Sequence, residues 1–289
     1  MKTLPSLMAS LALLISSPAL AQDNPQACAP YESIGSGPDL ILTPGLGSAP
    51  EVWDGVKDSL SENYTVHLVH VAGFAGRAAQ GDPETILDNA SAEIIAYMNC
   101  KGIETARYAG HSMGGFLGLK LAAEEPSRID RLVIVDSLPF FPLIFSPQAS
   151  VAAVVPQADG MRTQILGQTD EQFAQSQQTG VRSLVQNADF HETVVGWSLA
   201  SDRTTFANAL HTLMTTDLRP ELANVMAPTT VIAASNAFAP RERVEALYAG
   251  AYDGLEGAQV AIVEDSFHFI MFDQPEAFAS ALEAALASE

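Results

Sequence analysis

The stretch TARYAGHSMGGFLGLKLAAEE, residues 105–125, decides the fold of this chain. Its opening residues form a short apolar run typical of a buried strand, and its second half, rich in leucine and small residues, favours a helix. Between them lies the sequence G-H-S-M-G at 110–114, which puts Ser112 at a tight strand-to-helix turn. Such a turn projects the serine hydroxyl beyond the edge of the sheet, and a Cβ at Gly110 or Gly114 would clash with neighbouring backbone. The stretch therefore predicts a nucleophilic serine.

Strands and helices alternate along most of the remaining chain. The apolar runs predict strands at 39–43, 64–71, 105–109, 131–135, 229–233 and 259–263. Apolar residues at helical spacing predict helices at 83–99, 115–125 and 275–287. Because these strands are almost continuously apolar and are separated by helices, we expect an α/β fold with a mainly parallel sheet covered on both faces.

One long segment, 138–216, shows no strand pattern and opens with a cluster of prolines and large apolar residues. It is either a set of extra core helices or a helical cap over one end of the sheet. In the second interpretation, residues 22–137 and 217–289 form the core and 138–216 form the cap. The cap would then line a substrate pocket with aromatic side chains, for which the candidates are Phe140, Phe141, Phe145, Phe173, Trp197 and Phe206.

The N-terminus has the pattern of a secretory signal peptide. Lys2 supplies a positive charge, 11–15 form an apolar run, and Ala-Leu-Ala at 19–21 fits an A-x-A cleavage site. The pattern predicts a signal peptide at 1–21 and a mature protein that is periplasmic or secreted. No later stretch is long and apolar enough to span a membrane.

Two cysteines, Cys28 and Cys100, remain after removal of that peptide. An oxidising compartment would allow them to form a disulfide. Two separate thiols are the alternative, because the geometry that permits pairing is not visible in a sequence.

Composition narrows the classes of function. Of the 289 residues, 47% are hydrophobic and 17% are charged, so a large buried core is expected. Acidic side chains number 34 against 14 basic ones, a net charge of -20 that argues against nucleic-acid binding. The six histidines show no spacing typical of metal ligands, so no metal site is expected. No other cofactor is expected either. No feature of the sequence indicates an oligomeric state.

A serine hydroxyl becomes a good nucleophile only when a base takes its proton, so a histidine is required. His268 is the candidate, because it follows both the serine motif and the last predicted strand. A carboxylate must in turn orient the imidazole, and no Asp or Glu occurs at 222–240, where Asn236 stands after the strand 229–233. Asp136, directly after the strand 131–135, is the predicted acid, with Asn236, Asp265 or an incomplete triad left as alternatives.

The negatively charged oxygen of a tetrahedral intermediate needs backbone N–H donors. One should be the N–H of Met113, at the start of the helix after the serine, where the helix dipole favours negative charge. The second should come from the glycine-containing loop at 44–48, most simply from the N–H of Leu46.

These residues resemble the α/β-hydrolase superfamily over nearly the whole mature chain. The resemblance is carried by T-P-G-L-G at 43–47, by G-H-S-M-G-G at 110–115, and by His268 with the downstream residues Phe269, Asp273, Pro275 and Phe278. It implies an eight-stranded, mainly parallel sheet with a cap inserted after the sixth strand. Asn236 and Phe267 depart from the common pattern, and the resemblance is to the branch whose acid follows the sixth strand, where Asp136 stands.

The resemblance also implies a reaction. The leading hypothesis is a carboxylic-ester hydrolase of the serine esterase or lipase type, which cleaves neutral, fairly hydrophobic esters or lactones, including lipid-like ones, through an acyl-enzyme on Ser112. The alternatives are a C–C hydrolase or lyase on the same scaffold, and a binding protein with a degraded catalytic triad.

Overall fold

The computed structural model describes residues 31–287. The predicted signal peptide at 1–21 and Cys28 lie outside this range, so the signal peptide and the bridge from Cys28 to Cys100 stay predictions. Within the range, no helix combines the length and the apolar composition needed to cross a bilayer.

The described residues build a seven-stranded sheet with the order β1-β3-β2-β4-β5-β6-β7. The strands are β1 Glu32–Gly35, β2 Asp39–Thr43, β3 Thr65–Leu68, β4 Ala106–His111, β5 Ile129–Val135, β6 Thr229–Ala234 and β7 Gln259–Val263. All neighbouring pairs are parallel except the edge pair β1 and β3, which is antiparallel. The parallel α/β architecture is therefore confirmed, but the described sheet has seven strands rather than the expected eight.

The strand predicted at 64–71 is shorter in the structure, and one edge strand was not predicted. The predicted strand 64–71 ends at Leu68, because the chain then leaves β2 and turns through Gly73 and Ala75, with φ of 86° and 46°. The edge strand β1 was not predicted, because its sequence ESIG is short and polar and its side chains are mostly exposed.

Helices cover both faces of the sheet, as predicted. They are α1 Asp54–Ser61, α2 Ile86–Lys101, α3 Met113–Glu124, α4 Val151–Gly167, α5 Asp170–Gly180, α6 His191–Leu199, α7 Arg203–Thr215, α8 Arg241–Ala251, α9 Ile270–Asp273 and α10 Pro275–Ala287. Successive strand residues point to opposite faces. Ile41 packs into the cluster that contains α2, α3 and α8, while Leu40 and Leu42 pack into the cluster that contains α1 and α10.

The chain between β5 and β6 forms only helices and turns. This segment contains α4 to α7. It follows the fifth strand of the described residues, whereas the resemblance implies an insertion after the sixth strand. The carboxyl ends of β4, β5, β6 and β7 lead into the residues discussed next, so the parallel sheet gathers them at one edge.

Candidate active site

Ser112 occupies a strained turn between β4 and α3. Its φ of 54° and ψ of −118° cost a residue with a side chain roughly 1–3 kcal/mol. A Cβ added at Gly110 or Gly114 would lie under 3.0 Å from backbone atoms, those of Gly114 in the first case and of Thr43 in the second. The sequence-based reason for these two glycines is thus confirmed. The hydroxyl of Tyr108 donates to the carbonyl of Gly114 at 2.9 Å and fixes the turn from below.

His268 lies in the loop between β7 and α9 and lines the same cavity as Ser112. Its Nδ1 is 2.7 Å from Oδ2 of Asp136. When Nδ1–H donates to this carboxylate, the lone pair of Nε2 is left to accept a proton. Within residues 31–287 no hydrogen bond joins Ser112 Oγ to the ring; in free enzymes such bonds are often long and tighten in the substrate complex.

Asp136 follows the last residue of β5 and has a positive φ of 46°. Its Oδ1 accepts hydrogen bonds from the backbone N–H of Ala234 at 3.1 Å and from the hydroxyl of Tyr248 at 2.9 Å. Burial raises the pKa of this carboxyl, but the hydrogen bond and charge of His268, with those two donors, outweigh burial and hold the pKa below its usual value. The carboxylate is therefore ionised at neutral pH and stabilises a positive charge on the imidazole.

The other two candidate acids do not contact the imidazole. Asn236 donates from Nδ2 to the carbonyl of Ser266 at 3.0 Å, and its Oδ1 accepts the backbone N–H groups of Phe238 and Ala239. Asp265 is exposed, with a φ of 55°. Of the three, Asp136 alone has a carboxylate within hydrogen-bonding distance of the His268 ring.

Two backbone donors lie beside the serine. Leu46 and Met113 both line the cavity, and in the described part of the chain neither of their N–H groups donates to another backbone carbonyl. Met113 is the first residue of α3, so the positive end of the helix dipole points toward Ser112. Negative charge developing on a bound carbonyl oxygen would be stabilised here.

The cavity over these groups has a volume of about 600 Å³ and is walled mainly by apolar side chains. Its wall includes neither lysine nor arginine among the described residues. The side chains from the segment between β5 and β6 that face it include Phe141, Ile144, Phe145, Val194, Phe206, Leu210 and Leu213.

Only part of the predicted pocket lines this cavity. Phe141, Phe145 and Phe206 do. Phe140 does not, because it is fully buried in the core, with the guanidinium of Arg219 5.2 Å from its ring centre.

Two further aromatic candidates also lie outside the cavity. Trp197 packs on Phe272 with ring centres 6.2 Å apart. Phe173 packs edge-on against Phe206 behind the wall.

His111 was not predicted to have a role, but its side chain contacts the loop that carries His268. Its ring is fully buried, and Nε2 is 3.0 Å from the carbonyl oxygen of His268, so Nε2–H donates to it. Burial and the neighbouring His268 lower the pKa of His111 to about 3, which keeps the ring neutral. His111 stands at the first variable position of the G-x-S-x-G motif, and the motif does not indicate that a residue there contacts the carbonyl of His268.

Asp273 joins the loop of His268 to the segment above it. Its Oδ2 accepts the N–H of Phe267 at 2.7 Å, and its Oδ1 accepts the N–H groups of Gln186 and Asn187, each at 2.9 Å. One carboxylate thus connects the backbone of the His268 loop to the backbone of the segment 138–216. The resemblance indicated Asp273 as a family residue, but its partners come from a segment about 86 residues away and were not predictable.

Groups of three or more His, Cys, Asp or Glu side chains placed to hold a metal ion are not found among residues 31–287. The candidate site brings together a serine, a histidine, a carboxylate and two backbone donors around an apolar cavity.

Comparison with known proteins finds relatives similar in sequence and structures similar in fold. A pimeloyl-(acyl-carrier protein) methyl ester esterase of Aeromonas hydrophila is 36% identical over 110 residues, 38% of this chain and 42% of the relative, so this alignment spans less than half of that relative. The corresponding esterase of Cronobacter sakazakii is 31% identical over 193 residues, 65% of this chain and 71% of the relative. A hydrolase structure from Pseudomonas aeruginosa superposes with a TM-score of 0.75 at 22% identity, covering 89% of this chain and 94% of that one.

The family model for the α/β hydrolase fold matches residues 38–275. This span is well over half of the chain and contains the serine turn, Asp136 and His268. The two relatives are methyl ester esterases that act on pimeloyl-(acyl-carrier protein). The chain belongs to the α/β hydrolase fold family.

Proposed function

We propose that the protein is a carboxylic-ester hydrolase of the serine esterase type. The observation that carries the proposal is the 2.7 Å hydrogen bond from His268 Nδ1 to Asp136 Oδ2, in the cavity that also contains Ser112. A strained serine turn and an oriented imidazole at one apolar cavity are what acyl transfer needs.

The reaction proceeds through an acyl-enzyme. Ser112 Oγ attacks the ester carbonyl while His268 Nε2 takes the hydroxyl proton, and the carbonyl oxygen becomes an oxyanion held by the N–H groups of Leu46 and Met113. His268 then gives that proton to the leaving alcohol as the C–O bond breaks. Water, deprotonated by His268, attacks the acyl-enzyme; as the bond from the acyl carbon to Ser112 Oγ breaks, His268 returns the proton to Oγ and the acid is released.

The cavity supports an uncharged, apolar acyl group next to the scissile carbonyl. A carboxylate bound beside Ser112 would meet the ionised Asp136 and no cationic side chain of the described wall. The helical segment 138–216, which we propose to be a cap, contributes Phe141, Phe145 and Phe206 to this wall. Neutral esters or lactones with a moderately long, lipid-like acyl chain fit such a cavity.

Turnover of p-nitrophenyl esters of increasing chain length tests this proposal. Wild-type protein should hydrolyse them and should be labelled on Ser112 by a fluorophosphonate. The Ser112→Ala variant should do neither. If the wild-type protein neither turns over these esters nor becomes labelled, it is not a serine esterase.

The same assay separates the two other classes. A C–C hydrolase or lyase would be labelled at Ser112 but would leave simple esters intact. A binding protein with a degraded triad would show neither labelling nor turnover.

We also propose that the protein is exported after cleavage at residue 21. The supporting features are Lys2, the apolar run 11–15 and the A-x-A site at 19–21. Intact mass of the protein from a periplasmic fraction should correspond to a chain that begins at Gln22. Non-reducing and reducing masses from the same fraction should differ by two hydrogens if Cys28 and Cys100 are bridged.

A further inference from the structure

A second groove opens directly from the mouth of the catalytic cavity. It has a volume of about 430 Å³, and most of its lining residues, including Ile144 and Phe267, also line the cavity. The three residues that it adds are Arg182, Phe238 and Arg243. A ligand chain leaving the cavity on this side therefore meets two guanidinium groups and an aromatic ring.

These arginines differ from the other basic residues of the described chain. Neither Arg182 nor Arg243 has a side-chain hydrogen bond or ion pair with any residue from 31 to 287. Every other described lysine or arginine has a polar, electrostatic or aromatic partner. Arg241, in the same helix as Arg243, bonds to both Glu245 and Glu264.

The absence of partners is unusual because acidic side chains are abundant. The chain carries 34 of them against 14 basic ones, and the lining of the groove contains none. Two planar guanidinium groups that are not neutralised by the protein present donors suited to a carboxylate or phosphate. At physiological ionic strength the charge of the remaining surface is screened within about 8 Å, so the nearest side chains dominate.

The groove also offers apolar surface beside the two charges. Phe238 is 82% exposed, and its ring centre is 6.4 Å from that of Phe267, on the border with the cavity. Leu247 and Val244 continue this surface from the cavity into the groove. A ligand whose apolar chain leaves the cavity and ends in an anion would place the chain on the apolar residues and the anion beside Arg182 and Arg243.

We propose that this groove is an anion-binding subsite, and that it extends the substrates from the neutral esters proposed above to esters with a carboxylate or another anion at the far end of an apolar chain. The proposal rests on the ester-hydrolase function proposed above. The ester itself remains in the apolar cavity at Ser112, and the distal anion binds Arg182 and Arg243.

Matched ester pairs test the proposal. In the first pair the carboxylate is on the acyl side: mono-p-nitrophenyl suberate is compared with methyl p-nitrophenyl suberate. In the second pair it is on the alcohol side: 4-carboxyphenyl octanoate is compared with its methyl ester. The measurement is the ratio of kcat/KM for the anionic ester to that for its neutral partner.

The double variant Arg182→Gln with Arg243→Gln should lower this ratio about tenfold, because an exposed ion pair contributes up to about fivefold and two arginines contribute here. The change should appear mainly in KM and should shrink with added salt. Arg162→Gln with Arg241→Gln is the matched control, because it also removes two positive charges, from side chains that are 33% and 52% exposed, and neither residue lines the groove. It should change the ratio less than twofold.

The pair whose ratio responds shows which side of the ester carries the anion. A ratio that the groove variant leaves unchanged in both pairs, or that the control lowers equally, overturns the subsite. Calorimetry with monomethyl suberate on the Ser112→Ala variant examines the groove without turnover, and loss of both groove arginines should weaken that binding. A protein that binds the half-ester but hydrolyses no ester would refute the proposed function and retain the subsite, whereas equal binding by the groove variant refutes the subsite alone.

Discussion

The serine turn and the helical segment 138–216 meet at the same cavity but are built differently. Nine of the twelve residues of α3 are buried, whereas α4 buries only Ala158 among its 17 residues. Large apolar side chains such as Ile144 and Phe145 are 50% and 67% exposed in that segment. In the proposed reaction, the reacting groups are thus fixed by the parallel sheet, whereas the cavity wall also includes residues such as Ile144 and Phe145 that are anchored less tightly.

This contrast predicts that the serine turn determines the reaction rate and that the segment 138–216 determines substrate preference. Interior packing tolerates little displacement, so side chains on α3 and at the ends of β5 and β7 stay in register with one another. Elements with few buried apolar contacts open at lower free-energy cost. Changes in the turn should therefore alter kcat by orders of magnitude, while changes in the segment should alter KM and substrate preference.

Removal of the nucleophile has the largest expected effect. Ser112→Ala should lower kcat by about 10⁶-fold, leaving only the catalysis that the oxyanion donors supply. Ser112→Gly should be equally inactive but more stable than Ser112→Ala by about 1 kcal/mol, because glycine relieves the strain at φ 54°. Urea unfolding of the two variants measures the difference, and equal stability would contradict the strain.

Loss of the carboxylate comes next. Asp136→Asn should lower kcat by about 10⁴-fold, because the imidazolium loses its counter-charge and the ring its tautomer. Asn236→Ala should lower it only a few-fold, since that side chain bonds only backbone groups. Steady-state kinetics on one ester compares the two variants, and a larger loss in Asn236→Ala would reverse the assignment of the acid.

The link between the two regions can be broken at Asp273. In Asp273→Asn the side-chain oxygen can keep Gln186 and Asn187, but the new amide N–H₂ group would face the N–H of Phe267. The resulting shift of the His268 loop should lower kcat about 10- to 100-fold and speed proteolysis within 138–216. Asp265→Asn is the matched control in the same loop, because Asp265 is exposed. Its kcat and proteolysis rate should equal those of the wild-type protein.

A pH effect on stability is expected from His111. Its pKa falls from 6.5 to about 3 on burial, so the unfolded chain binds a proton that the folded chain excludes between these values. Its contribution is complete above pH 6.5 and is lost as the pH falls toward 3, by about 1.4 kcal/mol per pH unit.

His111→Gln keeps a donor near the position of Nε2 and does not titrate. Denaturant unfolding between pH 7 and pH 4 should show a shallower loss of stability in this variant than in the wild-type protein. If the unfolding free energies of the two proteins fall equally between pH 7 and pH 4, His111 does not cause the loss of stability in acid.

The smallest effect is expected at the edge of the segment. Phe145 is 67% exposed and lines the cavity, so Phe145→Ala should raise KM for long-chain esters a few-fold with stability changed by less than about 0.5 kcal/mol. Phe140→Ala, at a fully buried position, should instead cost about 3–5 kcal/mol of stability. Ester kinetics and urea unfolding of both variants test this division between substrate wall and core.

The sequence predicted the elements whose pattern is set by burial. The predicted strand at 39–43 and the predicted final helix at 275–287 coincide with β2 and α10. Asp136 could be identified as the candidate acid because the carboxyl ends of parallel strands share one edge of the sheet.

Features that depend on the meeting of distant segments were not predictable. Phe140 and Phe145 lie five positions apart in one apolar cluster, and only the three-dimensional path of the chain sends one to the core and the other to the cavity. The contacts of His111 with the carbonyl of His268 and of Asp273 with Gln186 are formed between backbone and side chains, which leave no periodicity in a sequence. β1 escaped prediction because an exposed edge strand need not be apolar.

The glycine contacts around the turn have a consequence for how this scaffold can acquire new chemistry. Positions 110 and 114 admit no side chain, because backbone atoms already occupy the space that a Cβ would need. Position 112 is different, since its side chain points into open volume and its backbone angles are imposed by the surroundings. A single exchange there, to cysteine or aspartate, would present another attacking atom at an unchanged location. Evolution can therefore replace the nucleophile without changing the surrounding backbone.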